Sequence, residues 1–200
     1  VIYALDPVSV GLPAAVAARL LRKKFLVRIA GDYAWEQGAQ RFGVSDDIEA
    51  FSRRRGGYGI LVSMLKKIES WVARQADRVI VPSKFLGNIV ENWGIEKENT
   101  KVIYSVFEGV AKVGNKEALR SLLSFEGHLI ISAGRLVPWK GFETLVEMIP
   151  KLEKDIPDVK LIIAGDGPLK IKFQSRIEEL GLSSRVTLLG ALDWQTLHSY

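Results

Sequence analysis

Residues Leu129–Leu145 read LIISAGRLVPWKGFETL. The apolar run LIISA has the length of a buried strand and stops at Gly134. From Phe142 onward, Phe142, Leu145, Val146, Ile149 and Leu152 recur at the 3.6-residue period of an amphipathic helix. A second apolar run, Lys160–Ala164, follows Pro157. Strand, helix and strand in that order form a βαβ unit, and such a unit joins parallel strands.

The same alternation extends in both directions. Val1–Leu5 reads as a strand, Ser9–Arg22 as a helix and Phe25–Ala30 as a strand. A polar, glycine-containing region runs on to about Arg55. From Gly59 to Gln75 a helix is predicted, with Ile60, Leu61, Met64, Leu65, Ile68, Trp71 and Val72 as its apolar stripe. Val79–Val81 is a strand, Ser83 an N-cap for a helix to Trp93, and Gly94 its stop. Val102–Tyr104 is a further strand. The pattern lapses from Ser105 to Gly114, which reads as a linker. Lys116–Ser124 is predicted helical, Val186–Leu189 a strand after a helix to Leu180, and a last helix starts near Trp194. The expected fold class is α/β, two Rossmann-like βαβ domains with parallel sheets in residues 1–110 and 111–200.

The chain of 200 residues is 48% hydrophobic and 26% charged, enough to bury two small cores. It has no cysteine, so disulfides and thiolate metal sites are excluded. No apolar run reaches membrane-spanning length. The net charge is +5, and the excess lies in the first half, where Arg53, Arg54, Arg55, Lys66, Lys67 and Arg74 face a single anion, Glu69. Two readings of the Arg53–Arg74 region are open: a peripheral membrane contact, or a core-facing helix with a solvated basic side. No nucleic-acid-binding motif is present, and no nucleic-acid partner is expected.

Several chemistries fail on spacing. Gly165-Asp166-Gly167 reaches Lys170 where a dinucleotide fingerprint needs its third glycine, and Lys140 precedes Gly141 rather than following it as in a P-loop. His128 and His198 have no metal-ligand spacing, and no metal site is expected. Arg135 and Lys140 remain, at the carboxyl end of a strand, where open α/β sheets bind ligands. A guanidinium fork and an ammonium suit phosphate oxygens; ordinary surface charge is the competing explanation. The tetrapeptide Ile-Ala-Gly-Asp occurs at Ile29–Asp32 and again at Ile163–Asp166, each closing a predicted strand.

The runs GRLVPWKG, FETLVEMIPKL, IIAGDGP and VTLLGAL, with IVPSKFL, WGI and VIYSV in the first half, resemble the family-4 glycosyltransferases, the "glycosyl transferases group 1" family. The resemblance implies the GT-B fold, here incomplete at both ends. It implies a retaining glycosyltransferase, moving a sugar from a nucleotide-sugar donor to a glycan or lipid-linked acceptor without a metal cofactor. Such an enzyme would serve polysaccharide or glycoconjugate synthesis in the cytoplasm, at the inner membrane face. On that resemblance Arg135 and Lys140 grip the donor diphosphate as catalytic residues. Gly134, Gly165 and Gly167 line the donor site, and Gly190, Ala191 and Leu192 contact the nucleobase. Gly31 and Asp32 stand where the family carries a histidine. They become acceptor-side candidates, with helix capping the alternative for Asp32 and a turn role the alternative for Asp166. The missing histidine also keeps open a non-catalytic GT-B-like binding or scaffold module. The family's Glu-x7-Glu segment would fall beyond Tyr200, so these residues alone are expected to be inactive.

Overall fold

The computed structural model describes residues 1–106, 115–122, 126–198 and 200. The chain forms two compact units, Val1–Phe107 and Glu108–Tyr200. Of the expected linker, only Ser105 and Val106 lie within the described residues. The end of the helix expected at Lys116–Ser124 also lies partly outside them.

In the first unit, β1 (Ile2–Ala4), β2 (Phe25–Arg28), β3 (Arg78–Val81) and β4 (Thr100–Val102) pair in sequence order, all parallel. Val27 and Val79 are fully buried on one face, under α1 (Gly11–Leu20), α4 (Ile60–Gln75) and α5 (Lys84–Asn92). Ser83 caps α5 by accepting from the Leu86 N–H, and Gly94 leaves the helix at φ +85°.

The region expected to be polar loop contains two helices instead, α2 (Tyr33–Arg41) and α3 (Ile48–Arg53). Each begins on an aspartate: Asp32 accepts from the Trp35 N–H and Asp47 from the Ala50 N–H, both at 2.8 Å. Both helices are short and carry few apolar residues, so they show little hydrophobic period.

Helix α4 corrects a second expectation. Its buried residues are Val62, Glu69, Val72 and Ala73. Leu65, Ile68 and Trp71 pack partly against the core, but Ile60, Leu61 and Met64 face solvent. The helix is apolar on two sides, and the side that reaches the core includes a glutamate.

In the second unit, α6 (Lys116–Leu122) precedes β5 (His128–Ala133), β6 (Val159–Ala164) and β7 (Val186–Gly190), again parallel and in sequence order. Helices α7 (Phe142–Asp155) and α8 (Lys170–Glu179) cover one face, burying Phe142, Val146, Ile149, Phe173 and Ile177 against Leu161 and Ile163. Removing a buried phenylalanine such as Phe173 costs about 3–5 kcal/mol in a core of this kind. A short α9 (Trp194–Leu197) comes last, capped by Asp193. Among the described residues, no helix is long and apolar enough to cross a membrane.

Candidate active site

The carboxyl ends of β5, β6 and β7 are stitched together by backbone. The Gly134 N–H donates to the Ala164 carbonyl and the Leu136 N–H to the Asp166 carbonyl, each at 2.9 Å. The Gly165 N–H donates to the Gly190 carbonyl at 2.6 Å. A register shift between Ile163 and Ala164 places Gly190, rather than Leu189, opposite Ala164. These approaches demand glycine. Gly165 has φ +148°, and a Cβ there would lie 1.9 Å from the Gly134 oxygen; at Gly167 it would lie 2.5 Å from the Leu136 oxygen.

This backbone platform positions the two cations. Leu136 and Val137 are buried, so the loop after β5 is anchored between Arg135 and Lys140, whose side chains stay exposed. Pro138 opens a 3-10 turn over Pro138–Lys140, and Gly141, at φ +72°, turns the chain into α7. The Arg135 guanidinium lies 6.0 Å from the Trp139 ring centroid, a cation–π distance that steadies it. Helix α7 starts with no side-chain cap, so its first N–H groups are available to an anion between the cations and the helix.

Gly134, Gly165, Gly167 and Gly190 therefore lie together at the strand ends, with Ala191 and Leu192 continuing from Gly190. Asp166 has the turn role. Its Oδ1 accepts from the Gly167 N–H at 2.7 Å and its Oδ2 from Lys170 Nζ at 2.9 Å, and the Lys170 hydrogen bond holds the carboxyl below its usual range. Sequence reasoning overlooked Lys170, whose ammonium also comes within 3.8 Å of where a Cβ on Gly190 would sit. Its place four residues after Asp166, on the first turn of a helix, was the available signal.

In the first unit, Gly31 is partly exposed, but Asp32 has no exposed surface. Asp32 is spent on the α2 cap, which takes it out of reach of a sugar hydroxyl. Beside it Glu69 is also fully buried, and its Oε2 accepts from the Ala34 N–H at 3.1 Å. Burial pushes Asp32 up to about 6, and burial followed by the Asp32 charge holds Glu69 well above the usual carboxyl range. Asp32 Oδ2, Glu69 Oε1 and the indole Nε1 of Trp93 are buried without a hydrogen bond. A single proton held between the two carboxyls would supply a donor and remove their repulsion. Lys66, the nearest cation, is itself engaged, donating to the Phe51 and Arg54 carbonyls at the end of α3. Among the described residues, no group of three or more His, Asp or Glu side chains could hold a metal ion.

Comparison with known proteins bears on the family and the fold. Residues 116–200 match the family described as Glycosyl transferases group 1. The chain is 33% identical over 143 residues to the GPI3 subunit of phosphatidylinositol N-acetylglucosaminyltransferase from Saccharomyces cerevisiae, a match covering 68% of this chain and 31% of that protein. It is 29% identical over 144 residues to the uncharacterized glycosyltransferase MJ1059 of Methanocaldococcus jannaschii, covering 70% of this chain and 35% of that one. The chain thus spans about a third of the length of these relatives. Among solved structures, HepE of Anabaena in complex with UDP-glucose superposes with a TM-score of 0.67 at 23% identity, over 91% of this chain and 46% of that chain. Sucrose-phosphate synthase from Thermosynechococcus elongatus gives a TM-score of 0.63 at 19% identity, over 94% of this chain and 45% of that one. With a GT-B fold and the matched second unit, the chain belongs to the glycosyl transferases group 1 family.

Proposed function

We propose that the protein takes part in transferring a sugar, with retention of anomeric configuration, from a nucleoside-diphosphate sugar to a glycan or lipid-linked acceptor. The observation that carries this reading is the pair Arg135 and Lys140, exposed on either side of a buried anchor at the carboxyl end of β5. In the reaction the bond from the anomeric carbon to the diphosphate oxygen breaks and a bond to the acceptor oxygen forms. The acceptor's proton is lost, and negative charge accumulates on the departing nucleoside diphosphate. Two cations on a rigid backbone, next to uncapped N–H groups of α7, stabilise that charge without reorganising. In this role they supply what a divalent cation would otherwise provide. Gly165 and Gly167 let backbone approach the donor closely, and Gly190–Leu192 border the nucleobase.

The donor class is supported by HepE, solved with UDP-glucose, and a lipid acceptor by the GPI3 relative, named for phosphatidylinositol. A cytoplasmic setting is part of the same proposal. Calorimetry with UDP tests it. Arg135→Ala and Lys140→Ala should each weaken binding at least about tenfold, the usual scale of a lost charge-assisted hydrogen bond. Both side chains are exposed, so an unchanged circular dichroism spectrum is expected. Equal affinity in the native protein and the double variant would remove the diphosphate assignment.

A further inference from the structure

Lys170 and Asp166 form a pair at the carboxyl end of the second sheet. Lys170 opens α8, with its backbone N–H on the Gly167 carbonyl at 3.1 Å and its Nζ 2.9 Å from Asp166 Oδ2. The Lys170 side chain is 45% exposed and that of Asp166 54%, so the pair adds little to stability. The same ammonium lies 3.8 Å from the place of a Cβ on Gly190, at the end of β7. Gly190, at φ +77°, has no side chain to cover the pair.

The geometry of the sheet says what reaches this point. With Arg135 and Lys140 gripping a diphosphate, the phosphates of a nucleotide lie at the end of β5. The strands run β5-β6-β7 in space. Neighbouring strands are about 4.8 Å apart, so the end of β7 is roughly 10 Å from the phosphates. A ribose bridges a gap of that order. Its path crosses Gly165 and Gly167, where backbone forms the surface. The base then arrives at Lys170 and Asp166.

An ammonium only donates hydrogen bonds, and a carboxylate only accepts them. Side by side they offer one donor and one acceptor. Uracil and guanine carry a carbonyl oxygen next to a ring N–H, which matches the pair. Cytosine and adenine carry an amino group next to a bare ring nitrogen. In the same pose donor then meets donor and acceptor meets acceptor.

We propose that Lys170 and Asp166 select the nucleotide by this edge of its base. Lys170 donates to the base carbonyl and Asp166 accepts from the ring N–H. Asp166 Oδ1 keeps the Gly167 N–H meanwhile, since a carboxylate has lone pairs for several partners. The inference rests on the diphosphate reading, because phosphates held at β5 are what fix the base over β7.

Calorimetry with UDP, GDP, CDP and ADP tests it. At least one of UDP and GDP should bind about tenfold or more tightly than both CDP and ADP, the usual scale for a mismatched edge. The purine and pyrimidine arms show which carbonyl base the site takes. Lys170→Met keeps the length of the side chain and removes the donor. It should weaken the preferred nucleotide about tenfold, leave CDP and ADP nearly unchanged and so erase the preference. Asp166→Asn should also narrow it. Both positions are exposed, and matching circular dichroism spectra check the fold. Equal binding of all four nucleotides, a preference unchanged in Lys170→Met, or uniform weakening of all four in that variant would each overturn the proposal. Uniform weakening would mean that Lys170 acts only as a charge near the phosphates. Arg135→Ala with Lys140→Ala should weaken all four alike and keep the preference. Failure of that variant to weaken binding strikes the diphosphate reading, whereas loss of the base preference in the native protein strikes only the present inference.

Discussion

The same four residues, Ile-Ala-Gly-Asp, follow β2 directly in one unit and span the end of β6 in the other, and their aspartates meet opposite fates. Ile29 and Ile163 are both fully buried. Beyond them the copies diverge. Asp32 turns inward, caps α2 and is driven by burial towards keeping its proton, up to about 6. Asp166 turns outward, caps a turn and is held below the usual carboxyl range by the Lys170 hydrogen bond. The residues just downstream are the cause. Tyr33-Ala34 enters a helix at once, whereas Gly167-Pro168 makes a turn before α8 begins. Four positions on from the aspartate stand Glu36 in the first copy and Lys170 in the second. A strand-end carboxylate thus takes its chemistry from the next turn of chain and from packed neighbours, not from its own tetrapeptide.

Substituting the two glycines of this repeat tests the contrast most strongly. Gly165→Ala should destabilise the second unit severely, by about 3 kcal/mol or more, because its Cβ meets backbone and its φ is unsuited to a side chain. Gly31→Ala should cost less than about 1 kcal/mol, since its Cβ meets only the movable Glu36 carboxylate end, at 2.6 Å. Urea unfolding followed by circular dichroism measures both. Comparable losses would mean that the two strand ends are equally crowded.

A smaller effect separates the aspartates by pH. A carboxyl whose folded pKa is raised binds its proton more tightly when folded. Its stabilisation is complete below the unfolded value and is lost as pH rises through the folded one. For Asp32 that window runs from 3.8 to about 6. Asp166 has the opposite sign: its contribution is present above 3.8 and is lost as pH falls through its lowered folded value. Between pH 4.5 and 6.5 the falling stability should therefore come from the Asp32–Glu69 pair. Glu69→Gln removes one titrating partner and should flatten that slope, whereas Asp166→Asn should leave it unchanged. A slope identical in native and Glu69→Gln protein would contradict the shared proton. The smallest effect is expected from Lys170→Ala, which removes an exposed ion pair: the midpoint in urea should match the native one.

Much of the fold is legible in the amino-acid sequence. The strands LIISA and KLIIA, the α7 stripe and the Ser83 and Gly94 boundaries come from local pattern, and they hold in three dimensions. Helix α4 shows where local pattern stops. Its apolar residues fill two overlapping stripes, and hydropathy alone ranks Ile60 above Glu69 for burial. The buried side carries Glu69, which lies beside Asp32, 37 positions earlier, and burial pushes both carboxyls up. In the second unit, Arg135 and Lys140 are visible as cations at a strand end. The platform beneath them is not, because it depends on the register of β6 and β7 and on a one-residue shift within that pairing.

The contacts of Gly165 and Gly167 against neighbouring carbonyls also bear on protein engineering. This part of the molecule owes its shape to side chains that are absent, and a mutational library samples such positions only to its loss. Variants at 165 and 167 should be depleted by any selection for folded protein, whatever the selected activity. Arg135 and Lys140, by contrast, stand exposed on the loop above, where a substitution alters ligand binding before it alters the fold. A mutational search in this part of the molecule is best run with Gly165 and Gly167 held constant.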